Sequence, residues 1–165
     1  MIIDTHTHTF PDRIAARALA GMEKSIVDKH DWNVKIKVAG TRDALSESTK
    51  KNGVDISVVV PVATKPEQSA SINEFAAQTN EKTKETGVFS LGAIHPDNED
   101  YKDILDDIKK KGLKGIKVHP DYQKVEFDDP RYLRIFKYAD ELGLVIVTHA
   151  GEDIGLPEKI HCTPD

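Results

Sequence analysis

Two histidines, His6 and His8, lie at the end of the first apolar segment of the chain. Side chains of an extended segment alternate between its two faces, so both imidazoles project from one face with Cβ atoms roughly 6–7 Å apart. Two neutral imidazoles at that separation can bind one divalent cation at about 2.0–2.1 Å. The alternative is a polar strand end, since a His-x-His pair also occurs by chance. Parallel α/β folds place their active sites at such strand ends, so a metal site is favoured.

Three further histidines follow predicted strands: His95, His119 and His149. The carboxyl ends of the strands of a parallel barrel face one cavity, so these three and the first pair could share it. Two ligands from the first strand and one from a later strand would leave an open coordination position, as catalytic zinc sites do. His30 and His161 lie in predicted loops, and we expect both at the surface.

Lys117 precedes His119 by two positions, on the same face of an otherwise apolar strand. A lysine that points into a protein interior needs a partner or a chemical modification. The alternative is that the side chain reaches solvent. We keep Lys117 as a candidate site residue.

Short apolar segments alternate with amphipathic helical patterns along the chain. Strands are predicted at residues 1–5, 54–62, 88–94, 113–118 and 144–148, buried on both faces. Helices are predicted at residues 12–24, 41–51 and 66–86, around 104–108, and from 129–130 until the glycine at 143. This order is typical of βαβ units with a parallel sheet, either open and doubly wound or part of an eight-stranded barrel. No glycine-rich phosphate loop follows a strand, which argues against nucleotide binding.

Size and composition indicate one ordinary globular domain. The 165 residues are 38% hydrophobic and 31% charged, enough for a single core. A net charge of −5 gives no basic surface for nucleic acid. The sequence has no leader pattern and no apolar run near 18 residues, so we expect no membrane partner. A single cysteine, Cys162, excludes an intrachain disulfide and predicts a cytoplasmic location.

The last three residues, Thr163-Pro164-Asp165, have the residue types of a helix start. Threonine suits the N-cap, proline the first turn, and an acidic side chain the helix dipole. Because the sequence stops there, we expect residues 1–165 to be the N-terminal part of a longer domain. A frayed polar tail is the alternative.

Three segments of the chain resemble the amidohydrolase superfamily. They are residues 3–8, 112–120 and 142–151, which read IDTHTH, GLKGIKVHP and LGLVIVTHAG. The closer similarity is to the branch of TIM-barrel metal-dependent hydrolases that includes aminocarboxymuconate-semialdehyde decarboxylase-like enzymes. The resemblance implies an α/β fold of the parallel (β/α)8 TIM-barrel type. About five of the eight units would lie in residues 1–165, a single hydrolase domain truncated before the sixth strand.

The resemblance also implies a divalent metal ion, most often zinc, with His6, His8 and His149 as ligands. His119 would line the pocket. Lys117 is near a position from which some superfamily members bridge two metals, although this branch is usually mononuclear. Family members add a histidine after the sixth strand and an aspartate after the eighth, and neither has a counterpart here. Without that aspartate we expect little turnover from these residues alone.

The leading interpretation is a metal-dependent hydrolase that acts on a small organic substrate through a metal-activated water, with His119 and Lys117 orienting substrate charge. Decarboxylation of a small carboxylic acid, or opening of a lactone, uses the same metal site. A phosphoesterase of the polymerase-and-histidinol-phosphatase kind matches less well, because residues 10–12 read FPD where a Ser-Asp pair is expected. A catalytically silent binding fragment is the non-enzymatic alternative. Unpaired edges of a partial barrel predict a homo-oligomer.

Overall fold

The structure is a computed structural model that describes residues 1–156 and 160–163. The strands in these ranges are β1 (Ile3–Thr7), β2 (Ile56–Val59), β3 (Val88–Ser90), β4 (Gly92–Ala93), β5 (Gly115–Val118) and β6 (Val145–Thr148). The α-helices are α1 (Asp12–His30), α2 (Arg42–Lys51), α3 (Ser69–Glu81), α4 (Thr83–Thr86), α5 (Tyr101–Lys110), α6 (Pro120–Gln123) and α7 (Pro130–Glu141). A 3-10 helix, Pro66–Gln68, precedes α3.

The strands form two parallel sheets, ordered β1-β2-β3 and β4-β5-β6. Each pair of neighbouring strands in these sheets is parallel, and helices connect consecutive strands along the chain, except that β3 and β4 follow each other directly. The alternation of apolar and amphipathic segments predicts this mixed α/β architecture, and the parallel sheets confirm it.

The segment 88–94, predicted as one strand, is split into β3 and β4. Side chains of α3 cause the split, because they take hydrogen bonds that a neighbouring strand would otherwise make. The Ser90 amide donates to Asn80 Oδ1 at 2.6 Å, and the Ala93 amide donates to Asn73 Oδ1 at 2.8 Å. The prediction of a single continuous strand is therefore wrong, although both halves run along the same path.

Helix α1 extends six residues beyond its predicted end at residue 24. It ends where Asp31 adopts a left-handed conformation with φ of 53°, and the Asp31 amide donates to the Val27 carbonyl at 2.9 Å. Helix α7 begins as predicted: the Asp129 side chain accepts from the Arg131 amide at 2.8 Å, and a proline follows the cap.

The hydrophobic core lies between the second sheet and helices α5 and α7. Its fully buried side chains include Ile94, Leu105, Ile108, Ile116, Tyr132 and Ile135. Helices α5 and α7 turn their apolar faces to β4–β6, so the carboxyl ends of these strands are held at one edge.

The two outer strands, β1 and β6, each pair with one neighbour and are more exposed than predicted. Ile3 is 47% exposed and Val145 is 59% exposed. The expectation that all strands are buried on both faces is wrong for these two. Strands β3 and β4 also pair with a single strand each among the described residues, but they are buried because α3 packs against them.

No helix in the described part of the chain is both long and apolar enough to span a membrane. Cys162 is buried and free. The helix start predicted at residues 163–165 falls largely on residues 164 and 165, which lie outside the described ranges.

Candidate active site

A cavity of about 580 Å³ opens at the carboxyl ends of the strands. Helices α1 and α3 form much of its wall. Four of the five histidines predicted to share one cavity line it: His6, His8, His119 and His149. The alternation of side chains along β1, together with the parallel order of the strands, brings these four residues together.

His6 and His8 project from one face of β1, with ring centroids 5.1 Å apart in an edge-to-face arrangement. Thr7 points the other way, where its hydroxyl donates to the Val58 carbonyl at 2.8 Å. Both residues are partly exposed to solvent and line the cavity. Desolvation, followed by the positive charges of His6 and Lys117, lowers the pKa of His8 to about 4. The pKa of His6 is also lowered, chiefly by burial. Their imidazoles are therefore neutral at pH 7, the form that binds metal.

His119 ends β5 and caps α6. Its Nδ1 accepts from the Tyr122 amide at 3.4 Å, and its Nε2 lies 3.3 Å from Asp153 Oδ2. The neutral ring therefore carries its proton on Nε2. Burial, followed by the charge of His149, lowers the pKa of His119 to about 4, although the charge of Asp153 acts in the opposite direction.

The Gln123 side chain holds the backbone of His119 in place through hydrogen bonds. Its carboxamide nitrogen donates to the carbonyls of Ala63 and Ile94, each at 2.8 Å. Its carbonyl oxygen accepts from the His119 amide at 2.9 Å and from the Tyr132 hydroxyl. All four hydrogen bonds that a glutamine side chain can make are thus formed, and they join the segments that follow β2, β4 and β5. A glutamine in a four-residue helix gives no sequence signal for this role.

His149 follows β6 and stacks on His119, with ring centroids 4.1 Å apart. Its Nε2 is buried, has no hydrogen-bond partner among the described residues, and lies 4.0 Å from Asp121 Oδ2. Asp121 in turn contacts His161 Nδ1 at 2.8 Å and accepts from the His161 amide at 2.8 Å. The expectation that His161 lies at the surface is wrong, because this carboxylate holds its side chain at 15% exposure.

His119, His149 and Asp153 form a group whose ligand atoms all lie within 4.8 Å of one another. Imidazole nitrogens and a carboxylate are donors that suit zinc or manganese. The buried Nε2 of His149 has no hydrogen-bond partner among the described residues, so it is available to bind a metal ion. The residues present therefore fit a divalent metal. His6 and His8 line the same cavity but do not belong to this group.

Asp153 supplies a carboxylate that the sequence analysis did not find. It lies in the loop after β6, four positions beyond His149. The loop folds back toward α1: Ser25 Oγ donates to the Gly155 carbonyl at 2.9 Å, and His30 Nε2 lies 2.7 Å from the Ile154 carbonyl oxygen. The available signal is its position two residues after Gly151, in a loop that follows a strand.

Lys117 is fully buried, and its Nζ has no hydrogen-bond partner among the described residues. The alternative that its side chain reaches solvent is therefore wrong. Burial lowers the pKa of Lys117, and its positive charge lowers the pKa of His6 and of His8. Lys117 lies near the histidines without lining the cavity itself.

His95 does not line the cavity, which contradicts its predicted position. Its Nδ1 accepts from the Asp97 amide at 3.1 Å, and its own amide donates to Asn98 Oδ1 at 3.1 Å. The ring and the backbone amide of His95 thus both form hydrogen bonds within the turn that follows β4.

The profile of the family described as amidohydrolase matches residues 3–163 of this chain. No curated protein is significantly similar to it in sequence. Several solved structures share its fold. A 5-carboxyvanillate decarboxylase from Novosphingobium aromaticivorans, with manganese and 4-hydroxy-3-methoxy-5-nitrobenzoic acid, has a TM-score of 0.66 at 15% identity, covering 92% of this chain and 50% of that one.

A second decarboxylase of the same name, from Sphingomonas paucimobilis, has a TM-score of 0.65 at 16% identity, covering 96% of this chain and 57% of that one. A probable 2-pyrone-4,6-dicarboxylic acid hydrolase from Acinetobacter baumannii, with citric acid bound, has a TM-score of 0.55 at 12% identity, covering 90% and 49%. At these identities the similarity shows the fold alone. The chain spans about half the length of these solved structures.

Proposed function

Since this chain belongs to the amidohydrolase family, we propose that it forms part of a metal-dependent enzyme that acts on a small organic substrate through a metal-activated water. The observation that carries the proposal is the buried and unpartnered Nε2 of His149 beside a cavity lined by three further histidines. A buried polar atom without a partner is costly, and a ligated ion removes that cost.

For the whole domain we propose the (β/α)8 TIM-barrel type, with residues 1–165 as an N-terminal portion that holds about five of the eight units. The parallel order of the strands supports this assignment. The exposure of Ile3 and Val145 on the outer strands also supports it, as does the half-length match to the solved structures. These same open edges favour a homo-oligomer.

His6, His8 and His149 are the proposed ligands of the ion, with Asp153 as the nearby carboxylate. Bound there, a divalent metal would lower the pKa of a water molecule to about 7 and polarise a substrate carbonyl. We propose zinc or manganese. Manganese is present in the 5-carboxyvanillate decarboxylase of similar fold, and both ions accept imidazole and carboxylate donors.

His119 and Lys117 are the proposed catalytic residues. His119 is neutral at pH 7, and its Nε2–H faces Asp153 at the edge of the cavity, where it can donate to a substrate oxygen. The buried ammonium of Lys117 adds a positive potential that stabilises negative charge developing on the substrate.

Decarboxylation of a small carboxylic acid, or opening of a lactone, is an equally well supported reaction for this site. The solved structures of similar fold include both decarboxylases and a probable hydrolase. A catalytically silent fragment is the remaining alternative, and it predicts either metal binding without turnover or neither of the two.

Titration calorimetry of the metal-free protein with Mn²⁺ and with Zn²⁺ tests the proposal. We expect saturable binding of about one ion per chain, since the proposed ligands His6, His8 and His149 line one cavity. Absence of binding for both ions would contradict the metal-dependent reading and leave the silent fragment.

A further inference from the structure

Helix α1 belongs to an excursion of the chain that runs beside the cavity. The excursion begins at Phe10 and returns at Gly40, where the Phe10 amide donates to the Gly40 carbonyl at 2.8 Å. Of the 19 residues of α1, Ala15 is the one that is buried. Because so little of α1 is buried, the polar contacts near its C-terminal end have a large share in placing it.

Two side chains near the C-terminal end of α1 bind the loop after β6, which comprises residues 149–156. Ser25 Oγ donates to the Gly155 carbonyl at 2.9 Å, and His30 Nε2 lies 2.7 Å from the Ile154 carbonyl oxygen. A carbonyl oxygen only accepts, so the His30 ring carries a proton on Nε2 and donates it. One helix thus holds two consecutive carbonyl groups of the loop.

The same loop presents the Asp153 carboxylate to the cavity. Asp153 Oδ1 accepts from the Gly155 amide at 2.7 Å, and the Asp153 carbonyl accepts from the Leu156 amide at 2.8 Å. The other carboxylate oxygen, Oδ2, lies 3.3 Å from His119 Nε2. The residues that α1 holds are therefore part of the turn that orients this carboxylate.

We propose that Ser25 and His30 are positioning residues, which hold the Asp153 carboxylate at the histidines by fixing two backbone carbonyls of its loop. Both side chains act on Asp153 through the loop backbone, since their hydrogen bonds are made to carbonyl oxygens. The inference rests on the proposed function only for the role of Asp153 beside a metal ion. The attachment of the loop to α1 needs no metal.

Hydrogen exchange of the Gly155 and Leu156 amides, followed by NMR on the metal-free protein, tests this attachment. S25A removes one donor of α1. H30F removes the other and keeps an aromatic ring beside Trp32, whose ring centroid lies 4.6 Å from that of His30. We expect each variant to speed the exchange of both amides by about two- to tenfold, the effect of one lost hydrogen bond.

The matched control is S71A. Ser71 lines the same cavity from α3, but its hydroxyl donates to the Gln68 carbonyl and not to the loop. Both amides should exchange in S71A at the wild-type rate. Wild-type rates in both S25A and H30F would overturn the inference. Exchange in the wild type at the rate of an unprotected amide would overturn it as well.

A mutant cycle with D153N separates positioning of the carboxylate from a general loss of structure. We expect S25A to raise the Kd of Mn²⁺ about two- to tenfold in the wild-type background. In D153N, which keeps the three proposed histidine ligands, S25A should leave the Kd unchanged because no carboxylate remains to be positioned. An equal rise in both backgrounds would overturn the inference. Absence of Mn²⁺ binding by the wild type would contradict the proposed function, and the exchange rates would then decide the inference alone.

Discussion

The imidazoles of His119 and His149 stack face to face, with ring centroids 4.1 Å apart and an interplanar angle of 5°. Nitrogen lone pairs lie in the ring planes, so two parallel rings cannot both direct a lone pair at one ion between them. Nδ1 of His119 already accepts from Tyr122, and its Nε2 faces Asp153. His149 has the unpartnered nitrogen. The stack therefore favours a division of roles, with His149 as metal ligand and His119 as hydrogen-bond donor.

Substitution of His119 tests this division. We expect H119N to weaken Mn²⁺ binding by about 10–100-fold, the effect typical of a residue that supports a ligand without being one. Titration calorimetry measures it. Loss of all measurable binding in H119N, with unchanged thermal unfolding, would instead make His119 a ligand.

Among the polar residues near the site, we expect replacement of Gln123 to lower the free energy of unfolding most. Q123L keeps the volume but leaves the carbonyls of Ala63 and Ile94 and the His119 amide without partners. At about 1–3 kcal/mol for each unsatisfied buried group, the free energy of unfolding should fall by roughly 3 kcal/mol or more. Urea denaturation measures this change.

A matched control for that variant is Q78L, on the exposed face of α3, where the side chain pairs only with Glu74. Its unfolding free energy should change by less than about 0.5 kcal/mol. Similar losses for Q78L and Q123L would show that the buried hydrogen bonds contribute little.

The helix cap at Asp129 predicts a pH dependence of stability. Hydrogen bonds from the Arg131 side chain and amide lower the pKa of Asp129 to about 2. A carboxyl whose folded pKa is depressed stabilises the fold above its unfolded pKa of about 3.9, and that contribution is lost as the pH falls through about 2. We expect D129N to melt at a lower temperature than the wild type at pH 7, with the difference vanishing near pH 2. A difference of the same size at both pH values would exclude the charge as its source.

The exposed edge of β6 predicts self-association. Val145 on that strand is 59% exposed, and a lysine there should discourage pairing with another strand. Light scattering coupled to size exclusion should therefore give a smaller average mass for V145K than for the wild type. V38K, at a 67% exposed position outside the sheets, should leave the mass unchanged.

Local patterns in the sequence were sufficient for the parallel α/β architecture and for the four histidines that line the cavity. His6 lies near the end of β1, and His8, His119 and His149 follow β1, β5 and β6, so the topology brings the four together. The break between β3 and β4 could not be predicted in the same way. It depends on the side-chain carboxamides of Asn80 and Asn73 in α3, which accept hydrogen bonds from backbone amides 10 and 20 positions further along the chain.

The contacts of the polar side chains around the histidines could not be predicted from the sequence either. Asp121 contacts His161, 40 positions away, and the Gln123 side chain contacts the Ala63 carbonyl, 60 positions away. Neither residue type has a periodicity or a motif that marks such a contact. His95 shows the opposite error, since its position after a strand suggests the cavity but its ring caps the next turn.

The most direct test of the account is the metal affinity of H149A against that of H95Q, measured by Mn²⁺ titration of the metal-free protein. His95 also follows a strand, yet it lies outside the cavity. We expect H149A to lose Mn²⁺ binding by more than about 100-fold, beyond the loss from a supporting residue, while H95Q binds as the wild type does. Unchanged affinity in H149A, in a protein whose thermal unfolding matches the wild type, would contradict the metal site.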